Sequence, residues 1–228
     1  MGKKPVAVFD FDGTLAMIRR NPEDARISAQ ALRQLAKIAA LARAIILTGR
    51  DSRFVRPQLA GLRGVEIIGL HGNRPLRNGG RLPALGRMAS KLAKKIPGAS
   101  VEGKPTGFVF HYRKAGKSGR QVKKLLAPLF AAAQGATKII AGRKTYEFMP
   151  KGALTKKETL LKLVAQNPRR RVLFIGDDSS DCEAMRACLR FRNFRGAIIR
   201  SKETRCWKVK SIKRGDVLQF ALREISGR

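Results

Sequence analysis

Two aspartates follow the first apolar run of the chain, at a spacing suited to acid–base or phosphoryl chemistry. Asp10 and Asp12 come directly after the run VAVF, within the motif FDFDGTL. Alternate residues share a face at the end of a strand, so both carboxylates are expected on one side. Carboxylates this close repel each other unless one is protonated or a cation neutralises them. The alternative is an Asx-turn with an accidental second acid, but the apolar run before it favours chemistry.

A second acidic cluster, GDDSSD, follows another apolar run, VLFI. It contains three carboxylates and no His or Cys, so a hard, oxygen-preferring ion such as Mg²⁺ suits it better than zinc. Asp177, nearest the end of the strand, is the best candidate metal ligand. Asp181 is a further candidate, which orients a neighbour or a metal-bound water. The alternative is that these acids only cap the helix that follows.

Positive and hydrogen-bonding groups complete a possible phosphate site. Thr48 and the backbone N–H after it are candidates for holding phosphate oxygens. Lys156, near a predicted helix N-terminus, is a candidate for neutralising both the phosphate and a nucleophile. Lys157 beside it is an alternative for the same role. In so basic a chain, a lysine that is merely a surface residue is the competing interpretation.

The elements that position these residues are short buried strands alternating with helices. The apolar runs are VAVF, AIIL, VEIIGL and VLFI, and polar residues follow each of them. Unbroken apolar runs are typical of parallel strands covered on both faces by helices. Helices are predicted from Ser28, from Thr155 with Glu158 as a capping box, and from Asp178 to Leu189. The sequence therefore predicts an α/β fold with a doubly wound parallel sheet, whose strand ends converge on one site.

The middle of the chain lacks this alternation and predicts a smaller inserted α+β domain. The predicted elements are a helix at 85–96, strands at 108–113, 138–141 and 146–149, and a helix at 119–133. We assign residues 1–74 and 151–228 to the core and 75–150 to the insertion.

The charge of the chain is its unusual property. Its 228 residues include 49 Lys and Arg against 16 Asp and Glu, a formal net charge of +33. Such a charge attracts polyanions and raises association rates with phosphorylated substrates. The basic residues are spread along the chain, and no zinc-finger, basic-zipper or RNP-like pattern is present. A solvated basic surface is therefore favoured over a nucleic-acid function, with nonspecific polyanion binding expected.

Nothing in the sequence predicts a membrane span, a signal peptide or myristoylation. The three cysteines are Cys182, Cys188 and Cys206, an odd number without paired spacing. They are interpreted as reduced thiols, which predicts a cytoplasmic protein.

The motifs resemble, in order and type, those of the haloacid dehalogenase (HAD) superfamily of phosphatases. The matching motifs are FDFDGTL, TGR at 48–50, Lys156 and GDDSSD. The resemblance implies that Asp10 attacks phosphorus, and that Asp12 protonates the leaving oxygen and then activates water. It also implies a HAD-like core and Mg²⁺ bound by Asp10, the backbone carbonyl of Asp12 and Asp177.

The resemblance narrows to the trehalose-6-phosphate phosphatase family. Its further segments are matched by GLHG at 69–72, EGK at 102–104, HYR at 111–113, and Glu147 with Pro150. Met149 stands where that family usually has Arg or Lys. The resemblance implies a cap domain at the insertion, which closes over the substrate. The substrate-binding residues it implies are Arg50, His71, Glu102, Lys104, His111, Arg113 and Glu147.

The function expected from this resemblance is hydrolysis of trehalose 6-phosphate in trehalose biosynthesis. A related capped phosphatase acting on sucrose 6-phosphate or a mannosylglycerate phosphate is the nearest alternative. A basic nucleic-acid-associated protein, or a phosphatase of polynucleotide ends, is the alternative from another class.

Overall fold

The structure, a computed structural model, describes residues 3–19, 21–59, 61–76, 80–135, 137–142, 144–200, 204 and 206–227. The chain divides into two compact units, Met1–Gly72 with Leu154–Arg228, and Asn73–Ala153. We call the first the core unit and the second the cap unit. The insertion predicted from the sequence spans 75–150, and its role in substrate specificity stays a prediction.

The core unit is built on a six-stranded parallel sheet. Numbered in chain order, its strands are β1 (Val6–Phe9), β2 (Arg43–Leu47), β3 (Val65–Ile68), β8 (Val172–Gly176), β9 (Phe194–Ile199) and β10 (Lys210–Ile212). They lie in the order β10-β9-β8-β1-β2-β3, and every pair is parallel. β1 and β8 are therefore adjacent at the centre, which brings their two acidic motifs together.

Helices cover both faces of this sheet. The helices of the core unit are α1 (Ala29–Leu41), α2 (Ser52–Val55), α6 (Lys156–Ala165), α7 (Ser179–Cys188) and α8 (Val217–Ser226). Side chains of α1 and α8 pack with Ala7 and Phe9 on one face, whereas α6 and α7 pack with Val6 and Val8 on the other. Alternate residues of β1 thus pack into hydrophobic cores on opposite faces of the sheet, which is why its sequence is apolar throughout. The predicted α/β doubly wound fold is confirmed.

The helix starts follow the capping residues in the sequence. Ser28 Oγ accepts from the Ala31 backbone N–H at the start of α1. Thr155 and Glu158 form a capping box at α6, and Asp178 and Asp181 form another at α7. These side chains satisfy backbone N–H groups that have no partner within the helix. None of the described helices combines the length and apolar character needed to cross a membrane.

The cap unit is a four-stranded antiparallel sheet with helices on one face. Its elements are α3 (Arg81–Lys94), β4 (Ser100–Lys104), β5 (Gly107–His111), α4 (Gly119–Leu125), α5 (Ala127–Ala133), β6 (Thr137–Gly142) and β7 (Thr145–Pro150). The strand order is β4-β5-β7-β6. Phe108 and Phe148 stack at 4.7 Å between ring centroids, in a core shared with the three helices.

Several predicted elements need correction. The single helix expected at 119–133 is two helices that meet at Leu126, because Pro128 in the first turn of α5 has no N–H to donate. The helix expected from Leu85 starts earlier, at Arg81. β4, β9, β10 and α8 were not predicted. The charged and glycine residues within β4 and β9 hide the apolar runs used to find the other strands.

The expectation of three reduced thiols is wrong. Cys182 in α7 and Cys206 form a disulfide, whereas Cys188 is buried and free. Sequence spacing did not reveal this pair, because only the fold brings the segment before β10 next to α7. Disulfides persist mainly in oxidising environments, so the thiol argument gives no support to a cytoplasmic location, which stays a prediction.

Candidate functional site

Asp10 lies at the carboxyl end of β1 in a buried ion pair. Its Oδ1 accepts a hydrogen bond from Lys156 Nζ at 2.9 Å, and the two side chains are 7% and 5% exposed. Burial raises the pKa of Asp10, and the lysine offsets part of that increase. A carboxylate held at a fixed position by one buried cation is suited to act as a nucleophile.

Lys156 links the two acidic motifs. Besides Asp10, its Nζ donates to Asp181 Oδ1 at 2.6 Å. Burial alone would lower the pKa of Lys156, but the surrounding carboxylates outweigh it, and the pKa is raised. Lys157, the alternative left open by the sequence, points elsewhere and pairs with Glu183 on the surface. Only Lys156 of the two lies beside Asp10.

Asp181 is fixed by its own motif. Its Oδ2 accepts from the backbone N–H groups of Asp177 and Asp178 at 3.0 and 3.2 Å. Burial is the main reason that its pKa is raised, with Asp10 adding repulsion. A Cβ on Gly176 would lie 2.3 Å from the Asp181 carboxyl carbon, so glycine is required there. Asp181 therefore acts in this structure chiefly as an acceptor that shapes the loop and holds Lys156.

Asp177 presents an oxygen without a hydrogen-bond partner. Among the described residues its Oδ1 is buried and unpaired, while its Oδ2 lies 4.0 Å from Arg214 Nη2. Burial raises the pKa of Asp177 to about 6. A Cβ on Gly13, whose φ is +80°, would come 2.0 Å from the Asp177 carboxylate. The glycine of FDFDGTL thus allows the loop after β1 to approach this carboxylate.

These side chains fit a divalent cation. Asp10, Asp177 and Asp181 each offer a carboxylate oxygen, and the three oxygens lie within 4.8 Å of one another. The unpaired, buried Asp177 Oδ1 is costly unless a cation or water completes its coordination. Oxygen-only donors suit Mg²⁺ better than a softer metal. The residues present therefore fit the predicted ion.

The Asp12 carboxylate is held by Arg50 rather than by the metal-ligand cluster. Arg50 Nε and Nη2 donate to the two Asp12 oxygens at 2.6 and 2.7 Å. The guanidinium also lies 4.2 Å from the centroid of the Phe54 ring. A bidentate pair that is also stacked on an aromatic ring restricts both side chains. Arg50, which the resemblance placed on the substrate, thus contacts the expected acid–base residue.

The loops after β2 and β3 meet at Thr48. Thr48 is buried, and its hydroxyl accepts from the Arg50 backbone N–H at 3.1 Å. The His71 backbone N–H donates to the Thr48 carbonyl at 2.9 Å. His71 has φ +54°, a left-handed conformation that is costly for a residue with a Cβ. A Cβ on Gly49 would lie 2.9 Å from His71 Nε2, so the ring packs against the TGR motif.

A charged row lies on the cap sheet. Glu102 on β4 bonds to His111 Nε2 at 2.9 Å and to Lys104 Nζ at 3.0 Å. These cap side chains are 38–51% exposed. Lys104 and His111 outweigh the effect of burial and lower the pKa of Glu102. Glu102 and Glu147 both lie opposite Val109, on neighbouring strands, and therefore share its face of the sheet.

Two further residues predicted to bind substrate, Glu147 and Arg113, differ in burial: Glu147 is half-buried, whereas Arg113 is exposed. Burial is the main reason that the pKa of Glu147 is raised. Met149, two residues along β7, is buried, and Lys138 on β6 lies directly across from it in the sheet. A lysine therefore stands next to the position where the resembling family has a basic residue. Arg113 is exposed in the turn after β5, beyond the end of the row.

Sequence reasoning missed two cations near the predicted site residues. Arg214 approaches Asp177 from the loop after β10, far along the chain from GDDSSD. The position of Lys138 opposite Met149 is known only from the pairing of β6 with β7. In a chain with 49 basic residues, neither carried a signal that separated it from the others.

The family model and the curated relatives that match the chain carry the same family description. A trehalose-phosphatase family model matches residues 8–81 and 87–213. The trehalose-phosphate phosphatases of Mycobacterium ulcerans and Mycobacterium tuberculosis are 32% and 31% identical to the chain over 203 residues. These alignments cover 81% of this chain and 51% of each relative. The chain thus spans about half the length of the curated relatives it matches.

Solved structures show the same fold at lower identity. A crystal form of Aspergillus fumigatus trehalose-6-phosphate phosphatase has a TM-score of 0.74 at 19% identity, covering 99% of this chain and 94% of that one. The sucrose-phosphatase of Synechocystis, solved with sucrose and phosphate, has a TM-score of 0.59 at 14% identity, covering 98% of each chain. At these identities the likeness concerns the fold alone.

Proposed function

Because the chain belongs to the trehalose-phosphatase family, we propose that it is a Mg²⁺-dependent phosphatase that hydrolyses trehalose 6-phosphate to trehalose and phosphate. The observation that carries this proposal is the buried arrangement of Asp10, Lys156 and Asp181 beside the unpaired Asp177 oxygen. This arrangement supports the proposal because it offers a carboxylate suited to nucleophilic attack, a cation to offset phosphate charge and oxygen donors suited to a hard metal ion.

In the first step, Asp10 attacks phosphorus in line with the leaving sugar oxygen. A bond forms between its carboxylate oxygen and phosphorus as the bond from phosphorus to the sugar oxygen breaks. Asp12 gives its proton to the departing oxygen, because an alkoxide is a poor leaving group. The products of this step are trehalose and an aspartyl-phosphate on Asp10.

In the second step, Asp12 takes a proton from water. That water attacks phosphorus, the bond from phosphorus to Asp10 breaks, and inorganic phosphate leaves. Asp10 is then a free carboxylate again, and Asp12 carries the proton needed for the next turnover. The bidentate contact of Arg50 supports a role in directing Asp12 while it is a carboxylate, the form that takes the proton from water.

Lys156 and Thr48 are the groups that we assign to the phosphoryl group. Lys156 supplies a buried positive charge, and Thr48 with its following backbone supplies hydrogen-bond donors. Asp10, Asp177 and the backbone carbonyl of Asp12 would hold Mg²⁺, with Asp181 beside them holding Lys156. When bound, the ion supplies further positive charge that offsets repulsion among the carboxylates and the phosphate.

Recognition of the sugar is assigned to the cap row. Glu102, Lys104, His111 and Glu147 share one face of the cap sheet and present charged acceptors and donors. Such groups form hydrogen bonds with sugar hydroxyls and exchange them with water at little cost. The assignments of Arg113 and His71 to the substrate stay predictions.

The test is phosphate release from a substrate panel with and without Mg²⁺. The panel contains trehalose 6-phosphate, sucrose 6-phosphate, glucose 6-phosphate and a 3′-phosphorylated oligonucleotide. We expect Mg²⁺-dependent activity with trehalose 6-phosphate as the best substrate by kcat/KM. Asp10→Asn serves as the control for contaminating phosphatases. A preference for any other member of the panel would contradict the proposed substrate while leaving the proposed chemistry in place.

A further inference from the structure

A basic groove lies beside the edge strand of the core sheet. β10 and α8 border a pocket of about 480 Å³. The cations that line it are Arg200, Lys210, Lys213 and Arg223, against the acids Asp216 and Glu224. Lys210 Nζ lies 4.8 Å from the centroid of the Phe220 ring, which fixes one cation at the groove wall. The lining is net positive and concave.

An exposed tryptophan lies close along the chain to Lys210 of this groove. Trp207 is the single tryptophan of the chain and is 78% exposed, the largest exposure among the big apolar side chains of the described residues. Trp207 lies three positions before Lys210, so their Cα atoms lie within about 11 Å. The disulfide from Cys206 to Cys182 ties the neighbouring residue to α7. The ring is therefore presented to solvent from an anchored segment.

We propose that this surface, defined by Trp207, Arg200, Lys210, Lys213 and Arg223, binds single-stranded nucleic acid. The cations of the groove attract the phosphates of a strand, and an unpaired base has a free face on which the indole ring can stack. Paired bases within a duplex do not offer that face. An acidic peptide or anionic lipid would use the cations but not the planar stacking surface. The proposal is independent of the phosphatase assignment.

The single tryptophan allows the wild-type protein to report on its own site. An oligothymidylate of about 16 nucleotides is titrated into the protein in non-reducing buffer, and fluorescence anisotropy of a labelled strand gives the affinity. Intrinsic tryptophan emission is followed in parallel. We expect quenching of the Trp207 emission, with protection from acrylamide, at saturation. Heparin, which has charge but no bases, binds without such quenching. Unchanged emission at saturating oligothymidylate would overturn the proposal.

Matched triple variants separate this surface from the general charge of the protein. The groove variant is Arg200→Gln, Lys210→Gln and Lys213→Gln. The control is Arg87→Gln, Lys91→Gln and Lys94→Gln on α3, which removes the same charge from exposed positions of the cap unit. We expect the groove variant to reduce the slope of log affinity against log salt by about 2. Equal losses in the two triples would overturn the assignment to this surface.

Trp207→Ala tests the stacking component. We expect affinity for oligothymidylate to fall by about tenfold, with the salt slope and heparin affinity unchanged. An equal loss for heparin would contradict base stacking. Matched RNA and DNA strands distinguish the two sources of the ligand, and either one bound more tightly than duplex supports the proposal. Anionic vesicles bound as tightly as the strand would overturn it.

Discussion

The two units carry charged clusters of opposite character. In the core unit, Asp10, Lys156 and Asp181 have side chains that are 7%, 5% and 0% exposed. In the cap unit, Glu102 and Lys104 are 51% and 40% exposed. Coulomb interactions are strong where water is excluded and weak where water and salt screen them. The core unit therefore holds its charges at fixed positions, as the proposed reaction requires, whereas the exposed charges of the cap unit can exchange partners with water, as the proposed sugar recognition requires.

The largest effect is expected for the nucleophile itself. Asp10→Asn replaces the attacking carboxylate with a neutral, poorly nucleophilic amide, and we expect kcat for trehalose 6-phosphate to fall by at least about 10⁴-fold. Because Lys156 keeps its contact with Asp181, the variant should still fold. Phosphate release measures the loss, and circular dichroism checks the fold. Steady-state turnover near the wild-type rate would remove Asp10 from the role of nucleophile.

The next effect concerns stability and uses two neighbouring lysines. Lys156→Met leaves two buried carboxylates without their cation, and we expect the free energy of unfolding to fall by about 3 kcal/mol at pH 7. Lys157→Met removes only a surface ion pair and should cost less than about 1 kcal/mol. Urea unfolding of both variants measures the difference. Similar losses would contradict the contrast between buried and exposed charge.

A substitution of Arg50 tests whether this residue positions the Asp12 carboxylate for catalysis. Arg50→Gln frees the Asp12 carboxylate, and we expect kcat for trehalose 6-phosphate to fall by about 100-fold. p-Nitrophenyl phosphate has a good leaving group that needs little protonation, so its kcat should fall much less. The double variant with Arg50→Gln and Asp12→Asn should then have a kcat little lower than that of Asp12→Asn alone. Equal losses on both substrates would indicate a role for Arg50 in phosphate binding instead.

A smaller effect, on KM, is expected for a substitution in the cap unit. Lys104→Ala removes a half-exposed hydrogen-bond donor, and we expect KM for trehalose 6-phosphate to rise by about tenfold with little change in kcat. KM for p-nitrophenyl phosphate, which has no sugar, should stay the same. Lys94→Ala on α3 is the matched control. An equal rise for both substrates would exclude Lys104 from sugar recognition.

The smallest effect is expected for the stability of the cap. Lys104 and His111 outweigh burial and lower the pKa of Glu102. A carboxyl with a lowered folded-state pKa contributes stability above its unfolded pKa, and loses it as the pH falls through the folded one. Glu102→Gln should therefore cost less than about 1 kcal/mol at pH 7, because the pair is exposed. In urea unfolding this cost should shrink towards pH 3. A cost that grows on acidification would reverse the assigned sign.

Local sequence patterns were enough to predict the central strands of the core unit and to locate the two acidic motifs that follow them. The apolar runs of β1 and β8 identify buried strands, and the capping box at Thr155 and Glu158 locates the start of α6. These signals depend on neighbours within a few residues, so they can be read before the fold is known. The parallel class follows from them, because strands that are apolar on both faces need helices on both faces.

The tertiary structure alone decided the partners of each charged group. It brought Lys156 rather than Lys157 to Asp10, joined Arg50 to Asp12, and placed Lys138 opposite Met149. It also paired Cys182 with Cys206, against the expectation from sequence. Such contacts join residues that are far apart along the chain, and they depend on strand order and register. In a chain so rich in Lys and Arg, residue type alone does not identify the few cations that are buried or paired at the site.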